Sequence, residues 1–87
     1  METRIKDPDA ILDYGFDWSD WLRSATIASS TWSATGLTIE ASSKTDTETV
    51  AIISGGSAGQ TYTATNHIVT DTGLADGRSL TLSVVNR

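Results

Sequence analysis

The chain has 87 residues, of which 38% are apolar, and this supports one hydrophobic core but no second domain. Ser and Thr together account for 25 residues while Lys and Arg total only 6, a composition that disfavours a helical bundle and favours an all-β domain. The absence of cysteine excludes a disulfide scaffold and a thiolate-ligated zinc site, and a net charge of −5 with a pI near 4.4 disfavours nucleic acid as a partner.

The N-terminal residues 1–9 are predicted to form an extended arm beside a folded domain over residues 10–87. They show no hydrophobic periodicity, and Pro8 favours an extended Asp7 and prevents a helix from continuing. Residues 1–20 carry six acidic side chains against two basic ones. No apolar stretch has the form of a secretory signal or a membrane span, so we expect synthesis in a cytosol and no membrane partner.

A half-buried strand is predicted over residues 12–18, because apolar residues alternate there with Asp or Gly. The inward-facing positions of this strand are Leu12, Tyr14, Phe16 and Trp18. The spacing of Trp18, Trp21 and Leu22 then predicts one helical turn that covers an end of the core.

The middle of the chain predicts two strands, a polar connection and a third strand. Residues 26–33 are rich in β-forming residues, and Leu37 and Ile39 within 37–39 share one face of the next strand. The polar residues 41–47 predict a loop or a weak edge segment. The apolar run 50–53 predicts a central strand, and the glycine-rich residues 54–59 predict a turn.

Two long strands are predicted at the end of the chain, over residues 61–70 and 78–85, with a Gly- and Asp-containing hairpin loop at 71–77. The inward-facing positions of the last strand are Leu80, Leu82 and Val84. Tyr62 is typical of a tyrosine corner, in which the phenol hydroxyl contacts backbone just upstream. Six or seven short strands without a long helix predict an all-β fold, an immunoglobulin-like antiparallel β-sandwich with an extended N-terminal arm.

No catalytic residue, cofactor or metal ligand is predicted. The lone His67 lies within a predicted strand, and no Gly-x-Ser-x-Gly motif accompanies it, so we expect a solvent-facing side chain. A calcium site is the alternative interpretation of the N-terminal aspartates, but these residues form no Asp-x-Asp-x-Asp-Gly loop and are expected to be solvated. They are Asp7, Asp9, Asp13, Asp17 and Asp20.

Three tryptophans in a chain of this size raise the alternative of a carbohydrate-binding sandwich with an exposed aromatic platform. The alternation assigns Trp18 to the core, and Trp32 is expected to fill the space between the sheets. Only Trp21 has no place in this predicted core. The glycine-rich 55–59 segment is not a phosphate loop, since no Lys-Ser or Lys-Thr pair follows it.

Several segments resemble one known family over nearly the whole chain. Residues 6–14, 17–22 and 26–32 are similar to the N-terminal block of the small proteins described as fiber-tail adaptors of short-tailed phages. Residues 54–63 and 76–81 resemble the second half of the same family. The N-terminal block is the specific part of this resemblance, because the later motifs are common in immunoglobulin-like modules.

The resemblance implies a structural virion protein without catalytic activity or cofactor. It implies a bacteriophage tail subunit, present in several copies, that joins the tail adaptor or nozzle to a tail fiber through protein contacts. The expected partners are therefore other tail proteins and copies of the chain itself, and the expected location is the virion tail. The alternatives are a carbohydrate-binding or adhesin-like module, and a head or tail decoration protein, because a fold does not determine a site.

We expect the predicted arm to bind a neighbouring subunit, since an extended segment can add to an exposed sheet edge through backbone hydrogen bonds. Within it, Pro8 keeps the chain extended, while the charges around it determine the register of pairing. A second contact surface is predicted from the 71–77 loop together with the polar 41–47 segment. The candidate partner-binding residues are Ile5, Lys6, Asp7, Pro8, Asp9 and Trp21.

Overall fold

A computed structural model describes residues 2–85 of the chain, and within them the fold is all-β except for one short helix. Met1 of the predicted arm and residues 86–87 of the predicted domain lie outside the described residues. The elements in chain order are β1 (Glu2–Lys6), β2 (Leu12–Asp17), α1 (Ser19–Leu22), β3 (Ile27–Ser33), β4 (Leu37–Lys44), β5 (Glu48–Gly55), β6 (Thr61–Thr70) and β7 (Ala75–Val84).

The strands form two sheets that pack face to face. The four-stranded sheet has the order β1-β7-β6-β3, and the three-stranded sheet has the order β2-β5-β4. All pairs are antiparallel except β1 with β7, which is parallel. The predicted two-layer β architecture is therefore confirmed for the described part of the chain.

Most predicted elements are present, with differences at β4, β5 and β7. β5 spans Glu48–Gly55 rather than 50–53, because β2 and β4 pair with it along this whole length. β4 continues to Lys44, where the sequence predicts a loop or weak edge segment, because its backbone pairs with β5 as far as Thr49. It is an edge strand, which explains its polar composition. β7 begins at Ala75 rather than at 78, since Ala75 pairs with Val69 and the hairpin loop closes within 71–74.

The N-terminal segment differs from the predicted arm, because residues 2–6 are a strand of the four-stranded sheet. The register runs from Glu2 beside Leu80 to Lys6 beside Val84. The backbone is extended, as expected near Pro8, but it pairs with β7 of its own chain. Pairing satisfies backbone groups that both strands would otherwise leave open to solvent.

The core consists of two clusters of buried apolar side chains that share the partly buried Phe16. One cluster joins the inner faces of the two sheets through Tyr14, Ala51, Ile53, Ala64, Leu80 and Leu82. The other lies at the α1 end of the sandwich and contains Trp18, Leu22, Ile27 and Ile68. The Phe16 ring stacks on Trp32 at 5.6 Å between ring centroids and meets Trp18 edge-on at 6.3 Å.

Trp18 is fully buried and is held by a polar network that spans both sheets. Its indole Nε1 donates to Asn66 Oδ1 at 3.0 Å and to Thr49 Oγ1 at 3.3 Å. Asn66 Nδ2 in turn donates to Ser30 Oγ at 2.9 Å and to the Thr31 carbonyl at 3.0 Å. Every polar group of this buried set therefore has a partner, and the indole is held in one orientation.

The hydrogen bond predicted for Tyr62 is present. Its hydroxyl accepts from the Ser57 backbone N–H at 2.9 Å, across the connection between β5 and β6. Tyr62 is the second residue of β6, so the ring fastens the incoming loop to the start of a core strand.

Candidate interaction surfaces

The segment predicted to bind a partner forms a strand followed by a tight turn. Ala10 N–H donates to the Asp7 carbonyl at 3.1 Å, and Asp9 N–H donates to Asp7 Oδ1 at 2.9 Å. This Asx-type arrangement, with Pro8 at the second position, holds the chain in the turn. Asp7 and Pro8 are half-buried and Asp9 is exposed.

The usual alternation is inverted along the end of β1. By register Lys6 shares the inner face with Val84, while Ile5 shares the outer face with Ser83. Lys6 is fully buried, and its Nζ donates to the Gly55 carbonyl at 2.7 Å and to the Asp7 carbonyl at 3.0 Å. Ile5 is 56% exposed. A charged group therefore anchors the strand from inside, and an apolar side chain is left outside.

The buried position of Lys6 changes its predicted role. The sequence predicts that Lys6 contacts a neighbouring subunit directly. In the structure its ammonium group is directed into the molecule and used by two backbone carbonyls, because its long aliphatic stem can bury beside Val84 while the ammonium group reaches these acceptors. Within this chain Lys6 holds the segment in place.

Trp21 lies at the opposite end of the sandwich from residues 5–9. β2 runs from Leu12, beside Ile53, to Asp17, beside Glu48, and α1 follows it. The Trp21 ring is half-buried and meets Trp18 at 5.7 Å with an interplanar angle of 71°. The structure therefore does not bring Trp21 together with the other predicted contact residues.

The two loops predicted to form a second contact surface lie at this same α1 end. Asp46 accepts from the backbone N–H of Ile27 at 2.9 Å through its carbonyl, and Asp71 Oδ1 accepts from Thr26 N–H at 3.1 Å. The adjacent residues 26 and 27 thus hold the 45–47 turn and the 71–74 loop side by side. Leu74 projects from the second loop and is 62% exposed.

The predicted contact residues do not include two exposed apolar residues at these ends. Ile11, beside the N-terminal turn, is 64% exposed, and Leu74 is its counterpart at the α1 end. A signal for Ile11 exists, because it is out of phase with the alternation that begins at Leu12. A signal for Leu74 exists as well, because it is the single large apolar residue in the polar segment between Thr70 and Gly77. Leu12, predicted to face inward, is also 38% exposed, because it begins the edge strand β2.

The electrostatics of the α1 end centre on Asp17. A hydrogen bond from the Ser19 backbone N–H, 2.9 Å from Asp17 Oδ1, lowers the pKa of this carboxyl, and the neighbouring Arg78 acts in the same direction. The Arg78 guanidinium lies 4.2 Å from the centroid of the Trp18 ring and donates to the Asp17 carbonyl at 2.9 Å. Asp17 thus stays ionised to lower pH than an ordinary aspartate, and its carboxylate accepts from the first residue of α1.

The alternative chemistries find no arranged site. Within residues 2–85 no three His, Cys, Asp or Glu side chains come together as a metal site, and no described helix has the length and apolar character to cross a bilayer. The three indoles form no exposed coplanar row, because Trp18 is buried and Trp32 stacks on Phe16. His67 is solvent-exposed on β6, as predicted.

A two-sheet body with exposed apolar side chains at both ends has the form of a structural protein that acts through contacts with other proteins. A family model described as "Podophage GP4 fiber-tail adaptor protein gp77" matches residues 6–83. The chain belongs to this family, as the resemblance predicts, and it is a structural component of a phage tail. No curated protein matches the sequence.

Proposed function

We propose that the chain is an immunoglobulin-like connector that joins the tail adaptor or nozzle of a short-tailed phage to its fibers, in several copies per particle. The observation that carries this proposal is the family match over residues 6–83, which covers both ends of the sandwich. Synthesis in the host cytoplasm is part of the proposal, and the absence of cysteine agrees with a reducing compartment.

The strand order supports the immunoglobulin-like assignment. An immunoglobulin constant domain has its C, F and G strands in one sheet and its A, B, E and D strands in the other. The orders β7-β6-β3 and β2-β5-β4 correspond to the C, F and G strands and to the B, E and D strands. Here β1, the first strand, lies in the sheet of β7 rather than in that of β2. The hydrogen bond of Tyr62 to Ser57 lies at the equivalent corner between the fifth and sixth strands.

The shape of the subunit supports a connecting role. Its principal extents are 42 × 22 × 18 Å. The two groups of exposed apolar residues lie at the two ends of β2, which runs from one end of the sandwich to the other. One neighbour therefore contacts the N-terminal end through Ile5, Asp7, Pro8, Asp9 and Ile11. The other contacts the α1 end through Trp21 and Leu74. Lys6 acts in this arrangement by anchoring β1.

Site-specific photo-crosslinking in the assembled tail tests this proposal. A photoreactive residue is placed at Ile11 or at Leu74, and the products in purified particles are identified by mass spectrometry. We expect the two positions to crosslink to two different tail proteins, because they lie at opposite ends of the sandwich. Thr63, exposed on the outer face of the four-stranded sheet, is the control position.

Two results contradict the connector role. One is a particle that contains the protein but gives the same single crosslinked partner at Ile11 and Leu74. The other is the absence of the protein from purified particles when it is expressed during infection. The first result would show that the protein is a tail component with a single neighbour. The second would show that the protein is not located in the tail.

A further inference from the structure

The outer face of the three-stranded sheet carries an apolar centre. Val50 and Ile52 point outward from the central strand β5 and are 36% and 39% exposed. Three of their four cross-strand neighbours are small. Gly15 and Ser43 face Val50, and Ala41 faces Ile52, whose neighbour from β2 is Asp13. A Cβ at Gly15 would collide with the Thr49 carbonyl, so no side chain from this position covers Val50.

Two adjacent hollows follow from these small neighbours. One, of about 90 Å³, is lined by Ala41, Ser42, Ser43, Val50 and Ile52. The other, of about 300 Å³, contains Val50 at its border and the carboxylates Asp13, Asp17 and Glu48. Carboxylates thus border the apolar pair formed by Val50 and Ile52.

Charge on this face has one sign among the described residues. The strand register places the carboxylates of Asp13, Asp17 and Glu48 on this outer face. The hydrogen bond from Ser54 Oγ to the Glu40 carboxylate places Glu40 on the same face. Lys44 on β4 shares a register position with the buried Thr49 and donates to the Ile27 carbonyl at 2.9 Å, toward the other sheet. Arg78 neighbours Asp17 at one corner, but it already contacts Trp18 and the Asp17 carbonyl.

The outer face of the four-stranded sheet is different. Its middle strands present hydroxyl side chains and no Lys, Arg, Asp or Glu at the register positions from Thr61 to Thr65 and from Ser79 to Ser83. An exposed Val and Ile are unremarkable singly, but here they are adjacent and are surrounded by one sign of charge on one face only. This combination of an apolar centre and a charged rim is the anatomy of a protein interface.

We infer that the outer face of the three-stranded sheet binds a second protein through a segment that presents aliphatic side chains flanked by Lys or Arg. The aliphatic groups pack on Val50 and Ile52, and the basic groups pair with Asp13, Glu40 and Glu48. A second copy of this chain is disfavoured as the occupant, because two such faces would place carboxylates against carboxylates. This inference rests on the proposed function, which supplies neighbouring tail proteins, and it adds a lateral contact to the two ends.

The test is the binding of purified variants to tails purified from particles that lack this protein. The double variant Val50→Thr/Ile52→Thr keeps β-branched residues on β5 but removes apolar surface. We expect it to bind about tenfold more weakly than the wild type. Asp13→Asn/Glu48→Gln should weaken binding and reduce its dependence on salt, since exposed charge pairs are screened. Thr63→Ala/Thr81→Ala on the opposite face is the matched control and should bind like the wild type.

Far-UV circular dichroism and melting temperatures establish that each variant is folded, so that loss of binding is read only from folded protein. Face variants that bind like the wild type, or wild-type binding that strengthens with salt, overturn the inference and leave the proposed function intact. Wild-type protein that does not bind tails at all overturns both. A dimer of the wild type that the face variants dissociate would assign the face to a second copy and overturn the inferred partner.

Discussion

A single backbone angle distinguishes Arg23 from every other non-glycine residue in the described part of the chain. Its φ of 58° and ψ of −107° place it at the second position of a type II′ turn, closed by a 3.0 Å hydrogen bond from Ala25 N–H to the Leu22 carbonyl. This conformation favours glycine, because a side chain meets its own backbone there. The turn joins α1 to β3, so its strain is stored beside the α1 end.

We predict that Arg23→Gly raises the free energy of unfolding by about 1 kcal/mol, since relief of the strain exceeds the entropy that glycine adds to the unfolded chain. Urea denaturation followed by Trp fluorescence measures this change. Ser24→Gly is the control, because Ser24 has an ordinary φ and should lose about 0.5 kcal/mol. A destabilised Arg23→Gly variant would refute the turn assignment.

The two tyrosines differ in what their hydroxyls contact. The Tyr14 hydroxyl is buried without a hydrogen-bond partner among the described residues, and burial raises the pKa of its phenol. The Tyr62 hydroxyl accepts from Ser57. We predict that Tyr14→Phe is neutral or stabilising by up to about 1 kcal/mol, whereas Tyr62→Phe costs about 1 kcal/mol. Equilibrium unfolding of both variants tests the pair, and equal losses in the two would contradict this account.

At the scale of elements, β1 is held by a side chain and by its backbone together. Its inner face presents Lys6, whose ammonium group bonds the Gly55 carbonyl, and its end is closed by a 2.9 Å bond from Val85 N–H to the Lys6 carbonyl. A charged residue directed inward is one way in which natural sheets protect an edge strand. Attachment of the N-terminal turn therefore depends on Lys6.

We predict that Lys6→Met destabilises the protein by about 1.5–3 kcal/mol, because the aliphatic stem is kept while two charge-assisted hydrogen bonds are lost. Hydrogen exchange should quicken at Val85 and along β7. Lys44→Met is the control, since its exposed side chain makes one such bond, to the Ile27 carbonyl. Unchanged exchange in Lys6→Met would show that β1 is held by its backbone alone.

At the scale of the whole molecule, Phe16 links the two core clusters. It packs against both, through the stacked contact to Trp32 and the edge contact to Trp18. One cluster joins the inner faces of the two sheets and the other lies at the α1 end, so this ring connects the two parts of the core.

We predict that Phe16→Ala costs about 2–4 kcal/mol, and that Phe16→Leu, which keeps apolar contact without the ring pair, costs about 1 kcal/mol. Denaturation is followed by Trp fluorescence and by far-UV circular dichroism. Coincident curves are expected for the wild type. If Phe16→Ala unfolds with an unchanged midpoint, Phe16 does not couple the clusters.

The local pattern of the sequence determines most of the strands and the core. Alternation of side chains in β6 and β7 depends only on neighbouring residues, because successive side chains on a strand point to opposite faces. The inward positions of Leu80, Leu82 and Val84 could therefore be predicted without knowledge of the partner strands, and all three are buried. The hydrogen bond of the Tyr62 hydroxyl could likewise be predicted from the position of Tyr62 near the start of its strand.

Only the tertiary structure decided where residues 2–6 pair, which face Lys6 occupies and at which end Trp21 lies. The charged and polar residues of β1 have no apolar alternation to signal an inner face, and its pairing partner is β7, at the other end of the chain. The outward position of Val50 and Ile52 could not be predicted either, because the apolar run that contains them shows no alternation. Pairing between distant segments assigns faces and edges, and the surfaces proposed to bind neighbours consist of these faces and edges.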